Sequence, residues 1–334
     1  MAYIKLNKNN LYDNLNSLTL KTKNKDKIAA VLKDNAYGHG LLEIASMVSN
    51  YGLSQAVVMN NDEAIKIKDY FKNILILNDI PKDITNFSYA ITDISHLNRV
   101  PKNCKIELKV DTGMHRNGIN INEISKALDI IKQKDLNLFG VFTHFRSADI
   151  LSSELSWQIY NFEEIKKIVY SKGFKDIRFH SHNSAALLRS NSFNEDIARV
   201  GIAMYGYNEL PFIYESINLK PILSLWAKKV STRKIFKGQK IGYAGNYIAN
   251  RDMIVSTYDV GYGDGLFRGD SSTPLITANN LPILGRVSMD FISLESCEDE
   301  ICIFDNAQTV AKHFNTISYE ITTNLKESIK RVIV

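Results

Sequence analysis

Short apolar runs alternate with helical patterns over the first two thirds of the chain, and this alternation limits the fold more than any other feature. The runs predict eight strands, near residues 28–33, 55–60, 74–78, 89–93, 105–111, 138–145, 177–183 and 197–206. Helical patterns near 11–20, 41–49, 121–133 and 154–171 precede or separate them. Eight strand–helix units in about two hundred residues predict an α/β fold, a (β/α)8 barrel of the TIM type. An open doubly wound sheet fits less well, and no Gly-rich dinucleotide motif supports it.

Beyond Pro221 the pattern changes to short strands without long helices. These strands are predicted at 223–227, 253–258, 274–277, 281–287, 291–295 and 301–304, with a short helix near 309–314. The sequence therefore predicts a barrel domain over residues 1–220 and a C-terminal, mostly β domain over residues 221–334.

Composition excludes several classes of protein. The 334 residues carry a formal charge of +5, but the lysines are mixed with carboxylates, as at 21–27, so nucleic acid is not an expected partner. Three cysteines without CxxC spacing indicate a reducing compartment and no zinc site. Because no signal-like or membrane-length apolar run occurs, we expect a cytoplasmic protein that does not enter membranes.

The first strand delivers Lys33 to a loop of turn-forming residues, Asn-Ala-Tyr-Gly-His-Gly at 35–40. Active sites of such barrels lie at the carboxyl ends of the strands, and a neutral lysine there can form a Schiff base with a carbonyl group. A solvated lysine at a strand end is the other interpretation of this residue taken alone.

The strand at 105–111 indicates which side chains enter the barrel. Ile106, Leu108 and Val110 share one face, expected against the outer helices, so Glu107 and Lys109 share the inner face with Asp111. Charges at inner positions must be paired or neutralised. An antiparallel edge strand with one wet face remains the alternative.

Eight motifs occur in a fixed order along the chain, each at a predicted strand end or in a loop of the β domain. They are Lys33 with Tyr37, Asp-Thr-Gly-Met-His-Arg-Asn-Gly at 111–118, Thr-His-Phe at 143–145, His-Ser-His-Asn-Ser-Ala-Ala at 180–186, Arg-Val-Gly-Ile-Ala-Met-Tyr-Gly at 199–206, Gly-Tyr-Gly-Asp-Gly at 261–265, Arg-Val-Ser-Met-Asp at 286–290 and Thr-Ile-Ser-Tyr-Glu at 316–320. This order resembles the alanine racemase family, which uses pyridoxal phosphate on a (β/α)8 barrel followed by a β domain. The resemblance covers nearly the whole chain.

The resemblance implies the reacting groups. Lys33 matches the lysine that holds pyridoxal 5'-phosphate as an aldimine and acts as one base, and Tyr262 matches the opposite base, which the second subunit of a homodimer supplies. Inversion needs a proton removed on one face of the α-carbon and delivered on the other. His144 matches a histidine that supports the tyrosine, and Arg199 matches the arginine that faces the pyridine nitrogen.

The remaining roles follow from the same resemblance. Phosphate binding falls to Tyr37, Asn183, Ser184, Gly201, Ile202 and Tyr319. Arg116 would position the substrate, alanine, and Met289 and Asp290 of the β domain would close the site from the partner subunit. Lys109 matches a lysine that is carbamylated in several relatives.

The sequence departs from the family pattern at three positions beside the site. Asp34 stands where alanine is usual, His115 replaces a usual glycine, and Arg146 replaces a usual small residue. These changes add one acid and up to two cations, so they bear on substrate preference and on contacts with the cofactor.

Two other functions compete with racemisation. A pyridoxal-phosphate carrier or regulator on this barrel needs Lys33 and a phosphate loop but no opposite base, and its single-domain form lacks the β domain. The other competitor is a different enzyme of this fold, either a racemase with a broader substrate range or a decarboxylase. A decarboxylase of this fold usually has a carboxylate at the pyridine nitrogen and a nucleophilic cysteine, which Arg199 and the placement of Cys297 argue against. The resemblance therefore implies an alanine racemase that interconverts L- and D-alanine to supply D-alanine for peptidoglycan.

Overall fold

The structure is a computed structural model that describes residues 1–214, 217–270 and 272–334. Within these residues an eight-stranded parallel sheet forms a nearly closed barrel, in which the last strand pairs with the first and one gap in the strand pairing remains between the seventh and eighth barrel strands. Numbered along the chain, where β1 (Tyr3–Leu6) precedes the barrel, its strands are β2 (Ile28–Val31), β3 (Gln55–Val58), β4 (Asn73–Ile76), β5 (Ser88–Ile91), β6 (Lys105–Lys109), β7 (Asn137–Phe142), β8 (Arg178–His180) and β9 (Ala198–Val200). The predicted barrel is confirmed, and each predicted strand overlaps an observed one.

The helices agree with the prediction less closely than the strands do. Those of the barrel region are α1 (Lys8–Thr22), α2 (Lys33–Tyr37), α3 (Leu41–Tyr51), α4 (Asn61–Ile67), α5 (Ile124–Gln133), α6 (Glu154–Ser171) and α7 (Ser184–Arg189). The prediction of eight strand–helix units is wrong at two connections. Among the described residues the link from β4 to β5 contains no helix, and the link from β5 to β6 contains only the 3-10 helix Ile94–Arg99. The first of these links holds Asn78, Asp79 and Pro81, which favour turns.

The second sheet is mostly antiparallel and contains both ends of the chain. Its strands besides β1 are β10 (Leu223–Ile235), β13 (Met253–Tyr258), β14 (Ile292–Leu294), β15 (Glu300–Phe304) and β16 (Lys330–Ile333), while β11 (Lys240–Ile241) and β12 (Tyr247–Ile248) form a separate pair. The last helices are α8 (Ala307–His313) and α9 (Ser318–Thr323). β1 lies between β10 and β16. The C-terminal sheet therefore includes residues 3–6, which a domain boundary after residue 220 assigns to the barrel domain.

Two predicted strands of the β domain are wrong. Residues 274–277 and 281–287 carry only the isolated bridge between Ile276 and Pro282. Proline has no N–H to donate to a ladder, and Gly285 has a φ of 74° that interrupts an extended chain. Apolar composition alone therefore overstated strand content here.

The inner and outer faces of β6 are as predicted. Ile106 and Leu108 are fully buried in the apolar layer beneath α5 and α6, whereas Glu107 is fully buried on the inner face and Lys109 is 7% exposed. The inner apolar cluster includes the short side chains of Ala29 and Ala90 beside larger ones such as Phe142. The short side chains leave room for a cavity at the carboxyl ends of the strands. No helix in the described part of the chain is long and apolar enough to cross a membrane.

Candidate active site

Lys33 begins a turn of unusual handedness directly after the first barrel strand. Asp34, Asn35, Ala36 and Tyr37 have φ values of 54°, 53°, 52° and 53°, which makes α2 a left-handed helical turn. Such a conformation costs about 1–2 kcal/mol for each residue that carries a Cβ. The surrounding structure must therefore hold this turn in place.

Side chains on both sides of the turn satisfy its backbone. Asn35 Oδ1 accepts a hydrogen bond from the Leu41 N–H at 2.8 Å, which joins the turn to α3. The Asn35 N–H donates to Glu63 Oε1 at 3.3 Å, and the other oxygen of Glu63 accepts from the Met59 N–H at 2.7 Å. The turn is thereby tied to the next strand–helix unit as well.

Two further residues hold the turn from behind, and neither was singled out from the sequence. His39 Nδ1 lies 3.0 Å from the carbonyl oxygens of both Ala36 and Tyr37, so it carries the proton and donates. Arg331, on the C-terminal strand β16, donates to the Gly38 carbonyl at 2.9 Å. Burial lowers the pKa of His39 to about 4, so this imidazole is neutral.

A cavity of about 600 Å³ opens beside Lys33 at the carboxyl ends of the barrel strands. Every site residue that the sequence assigned to the barrel domain lines it, while Tyr319 lines it from the C-terminal segment. Among its described lining residues the cations are Lys33, Lys109, Arg116, Arg146 and Arg199, and the anions are Asp34, Asp149 and Glu209. The excess of positive charge suits an anionic ligand.

At one end of the cavity a serine and a glycine leave the backbone open to close contact with a ligand. Ser184 Oγ accepts from the N–H groups of Gly201 and Ala203 at 3.2 and 3.3 Å. A Cβ at Gly201 would lie 2.7 Å from the Tyr37 hydroxyl, so only glycine fits here. Asn183 Oδ1 caps α7 by accepting from the Ala186 N–H at 2.9 Å. Hydroxyl and backbone N–H donors in such a loop are the groups that bind phosphate.

The phenols at this end are partly buried and protonated. The rings of Tyr37 and Tyr319 lie 5.6 Å apart, and Tyr37 also contacts Tyr205 at 5.3 Å. Burial raises the pKa of Tyr37 and of Tyr319 far above the usual range of tyrosine. Both hydroxyls therefore donate hydrogen bonds at any physiological pH.

Arg199 is buried on the floor of the cavity and held by four contacts. Nη1 donates to His180 Nδ1 at 2.6 Å and to the His180 carbonyl at 3.0 Å, while Nη2 donates to the carbonyls of Thr143 and Ser181 at 2.5 and 3.3 Å. Burial lowers the pKa of Arg199 to about 10, which leaves it charged. Within the described residues Nε has no hydrogen-bond partner, so it is the donor left for a ligand.

A buried chain of charges continues from Arg199 into the barrel. Because His180 Nδ1 accepts from Arg199, its Nε2 carries the proton and donates to Glu107 Oε2 at 2.7 Å. Arg178 and Ser88 donate to the same carboxylate, with Arg178 Nη2 at 2.5 Å and Ser88 Oγ at 2.6 Å from Oε1. Burial alone would raise the pKa of Glu107, but Arg178 and His180 hold it well below its usual range.

Glu107 and His180 are functional candidates that the sequence analysis did not name as site residues. Two signals could have found them: the inward position of Glu107 on its strand, and the place of His180 at the head of the motif at 180–186. What the sequence could not supply is their contact, because 73 positions separate them.

His144 is a neutral imidazole surrounded by cations. Burial, together with the positive charges of Arg199 and Lys109, lowers its pKa to about 3. Within the described residues no hydrogen bond joins its ring to Arg199. The imidazole is therefore available to a group that enters the cavity.

Lys109 shares this cationic surrounding. Its amine contacts Asn117 Oδ1. Burial, together with the charges of Arg116 and Arg199, lowers its pKa to about 8. Arg116 itself is exposed at the cavity wall and has no ion pair in the described part of the chain.

The three departures from the family pattern occupy different places. Asp34 Oδ2 lies 3.1 Å from Lys33 Nζ, and both side chains are partly exposed. Arg146 Nη1 donates to the Gly113 carbonyl at 2.7 Å and lines the cavity, whereas exposed His115 is not among the described lining residues. Asp34 and Arg146 are therefore the departures that a ligand would meet.

Tyr262, Met289 and Asp290 do not join this cavity within one chain. The Tyr262 N–H donates to the Ser288 carbonyl at 3.0 Å and the Gly263 N–H donates to the Met289 carbonyl at 2.7 Å, so the two loops form one surface. A Cβ at Gly261 would lie 2.2 Å from the Met289 oxygen, which explains that glycine. Tyr262 is 42% exposed and Met289 55% exposed.

The fold and the cavity define a two-domain barrel protein whose first barrel strand presents a lysine at the face where such barrels perform catalysis. Family models agree: the alanine racemase N-terminal domain matches residues 6–209, and the alanine racemase C-terminal domain matches residues 222–333. The chain belongs to the alanine racemase family of isomerases.

Individual relatives match over their whole length. An alanine racemase of a Nitratiruptor species is 46% identical over 99% of both chains, and one of Campylobacter concisus is 43% identical over 100% of both. The crystal structure of alanine racemase from Bacillus anthracis with bound L-Ala-P matches with a TM-score of 0.90 and 26% identity, covering 100% of this chain and 95% of that one.

Three neutral histidines, two fully buried and one partly buried, predict how stability depends on pH. The pKa values of His39, His144 and His180 are lowered from 6.5 to about 4, 3 and 4. Below about pH 6.5 the unfolded chain binds protons that the native chain does not, so the free energy of unfolding falls as the pH drops from 6.5 towards 4. Each histidine contributes up to about 1.4 kcal/mol per pH unit. Urea unfolding at one fixed protein concentration, repeated between pH 8 and 5, measures this slope.

The variant His39→Gln removes one of the three groups and should reduce the slope by about one third. His313→Gln changes an exposed imidazole instead and should keep the parent slope. A parent slope that vanishes below pH 6.5 would contradict the assignment of these histidines as neutral.

Proposed function

We propose that this protein is a pyridoxal-phosphate-dependent alanine racemase that interconverts L- and D-alanine by a two-base mechanism and supplies D-alanine for peptidoglycan synthesis in the cytoplasm. One observation carries the proposal: the amine of Lys33 opens into a cavity that also contains a buried, charged arginine and a glycine–serine cradle. Membership of the family and the 43–46% identity to the two relatives described above support the same activity.

The residues present fit pyridoxal phosphate. The cradle of Ser184 and Gly201, where a Cβ would collide with Tyr37, would take the phosphate, with Asn183, Ile202 and Tyr319 beside it. A cavity of about 600 Å³ has room for the cofactor and a small amino acid. Arg199 would face the pyridine nitrogen and Lys33 would hold the aldehyde carbon.

When bound, pyridoxal phosphate withdraws electrons from the α-carbon of an attached amino acid and so acidifies its C–H bond. Lys33 Nζ would take or return the α-proton on one face, and the hydroxyl oxygen of Tyr262 from the partner subunit would do so on the other. Two bases on opposite faces are what inversion of a stereocentre needs.

The neighbouring groups would set the proton positions. Arg199 is always charged and its Nε is a donor, so it would leave the pyridine nitrogen unprotonated, which limits electron withdrawal and disfavours transamination. Because His144 is neutral, it keeps one ring N–H, which can donate a hydrogen bond to the oxygen of Tyr262 and favour its phenolate form. Arg116, at the cavity wall, would bind the substrate carboxylate, and Met289 and Asp290 would close the entrance.

Replacement of the second base tests the mechanism. We expect Tyr262→Phe to retain the visible absorbance of the lysine-bound cofactor but to lose racemisation by about 10²–10⁴-fold, because one face of the α-carbon lacks its base. Deuterium incorporation in D2O is measured separately with L-alanine and with D-alanine as the substrate. We expect incorporation to be lost with L-alanine, because the tyrosine would remove the α-proton of that enantiomer.

Tyr170→Phe, an exposed change on α6, is the matched control and should behave as the parent. Bound cofactor with no deuterium exchange from either enantiomer in the parent would contradict racemisation. That result would favour a cofactor carrier or a different substrate.

Sharing of the site between subunits of a homodimer gives a second prediction. The variants Lys33→Ala and Tyr262→Phe should each be inactive as homodimers. A mixed dimer has one site with both native bases and one with neither, so mixing and refolding the two variants in equal amounts should restore about a quarter of parent activity. No recovery, with mixed dimers demonstrated by mass, would refute the shared site.

Lys109 is proposed to be carbamylated. A neutral lysine amine adds carbon dioxide and releases a proton, and the lowered pKa of about 8 makes the neutral amine accessible. The resulting anion would replace a cation between Arg116 and Arg199 and could orient Arg116. Native mass spectrometry should therefore show the added mass of carbon dioxide, absent from Lys109→Arg. An unmodified amine in bicarbonate-containing buffer would remove the proposal.

A further inference from the structure

The barrel has one seam without a ladder. The other neighbouring strands pair through parallel ladders, with one register shift between β6 and β7, but in the described residues only two backbone hydrogen bonds join the segments of β8 and β9. The Asp196 N–H donates to the Phe179 carbonyl at 3.2 Å, and the Arg199 N–H donates to the His182 carbonyl at 2.9 Å. Other groups must complete the closure at this point.

Two consecutive carboxylates take the place of the missing backbone acceptors. Asp196 Oδ2 accepts from the Phe179 N–H at 2.7 Å, and Glu195 Oε2 accepts from the Ser181 N–H at 2.5 Å. Glu195 Oε1 also accepts from Ser181 Oγ at 2.5 Å. Side chains from the segment before β9 thus bind the N–H groups that β8 and its extension leave free.

His182 extends this contact towards α7. Its Nδ1 lies 3.1 Å from Glu195 Oε2, and its Nε2 lies 3.3 Å from Ser190 Oγ at the end of α7. Its ring meets those of Phe145 and Phe193 edge-on, with centroids 6.0 and 5.2 Å away. The imidazole is therefore fixed on every side, between Glu195 and the helix that begins at the cradle.

The seam leads directly into the cradle. Ser181 and His182 are followed by Asn183 and Ser184, and Ser184 Oγ crosses the same seam to the Gly201 N–H. We infer that Glu195, acting through Ser181 and His182, is a positioning residue for the phosphate end of the cavity. The inference rests on the proposed function, because it takes the bound anion to be the phosphate of pyridoxal phosphate.

The charge of Glu195 contributes to this contact, because its carboxylate accepts several hydrogen bonds and pairs with Lys166. Four donors converge on Glu195: the N–H groups of Ser181 and His182, the Ser181 hydroxyl and His182 Nδ1. Glutamine keeps the shape but removes the charge that pairs with Lys166 Nζ, 3.9 Å from Oε1, and places an N–H₂ beside the Ser181 hydroxyl, which must then accept instead of donate. Glu195→Gln therefore releases one side of the seam without removing volume.

The test compares two cofactors that differ only in phosphate. Full-length homodimer is equilibrated by dialysis with pyridoxal phosphate or with pyridoxal, and the dissociation constants are read from the visible absorbance of the lysine-bound form. For Glu195→Gln we expect the dissociation constant of pyridoxal phosphate to rise about ten- to hundredfold while that of pyridoxal stays within about twofold. A general loss of structure would weaken both ligands equally.

Two further variants make the result decisive. Ser181→Ala removes only the hydroxyl contact and should give a smaller shift of the same kind, which serves if Glu195→Gln does not fold. Asp129→Asn breaks a carboxylate pair with Lys172 between α5 and α6 and should leave both constants unchanged.

The possible outcomes separate the two proposals. Unchanged affinity of Glu195→Gln for pyridoxal phosphate, or equal loss for both ligands, overturns the positioning role and leaves the proposed function standing. A parent protein that binds neither ligand overturns the proposed function, and the positioning role with it.

Discussion

The buried carboxylate of Glu107 is the constraint on which the interior of the barrel depends. A carboxylate removed from water costs several kcal/mol unless donors replace its hydration. Arg178, His180 and Ser88 supply those donors. Because His180 donates a hydrogen bond from Nε2 to Glu107, its Nδ1 must accept one from Arg199. This second hydrogen bond fixes the guanidinium on the cavity floor. The protonation state of the site thus follows from a charge that no ligand touches.

The second constraint is the left-handed turn after Lys33. Four consecutive residues in this conformation form a strained segment. The residues that hold it come from three parts of the chain: Glu63 from the next strand–helix unit, His39 from the turn itself, and Arg331 from the last strand. Through Arg331 the C-terminal sheet contacts the turn that follows Lys33, so the β domain supports this turn within one chain.

The structure also explains why the cavity and Tyr262 lie apart. The loops at 261–265 and 286–290 pack against each other through backbone contacts, which fixes Tyr262 and Met289 on an exposed surface of the β domain. A surface that presents an exposed tyrosine and an exposed methionine, apart from the cavity at Lys33, is suited to complete a site elsewhere. In the proposed enzyme that site belongs to the partner subunit, so activity requires dimerisation.

The sequence by itself determined the eight barrel strands, the inward position of Glu107, the lysine at the first strand end and the family. Each of these rests on local periodicity or on residues close together in a motif. Only the tertiary structure decided the pairing of β1 with β16, the handedness of the turn at Lys33, the chain from Glu107 to Arg199 and the carboxylates at the seam. The physical reason is that a hydrogen bond or an ion pair depends on which groups meet in space. Glu107 and His180 are 73 positions apart, and no period in the sequence encodes their contact.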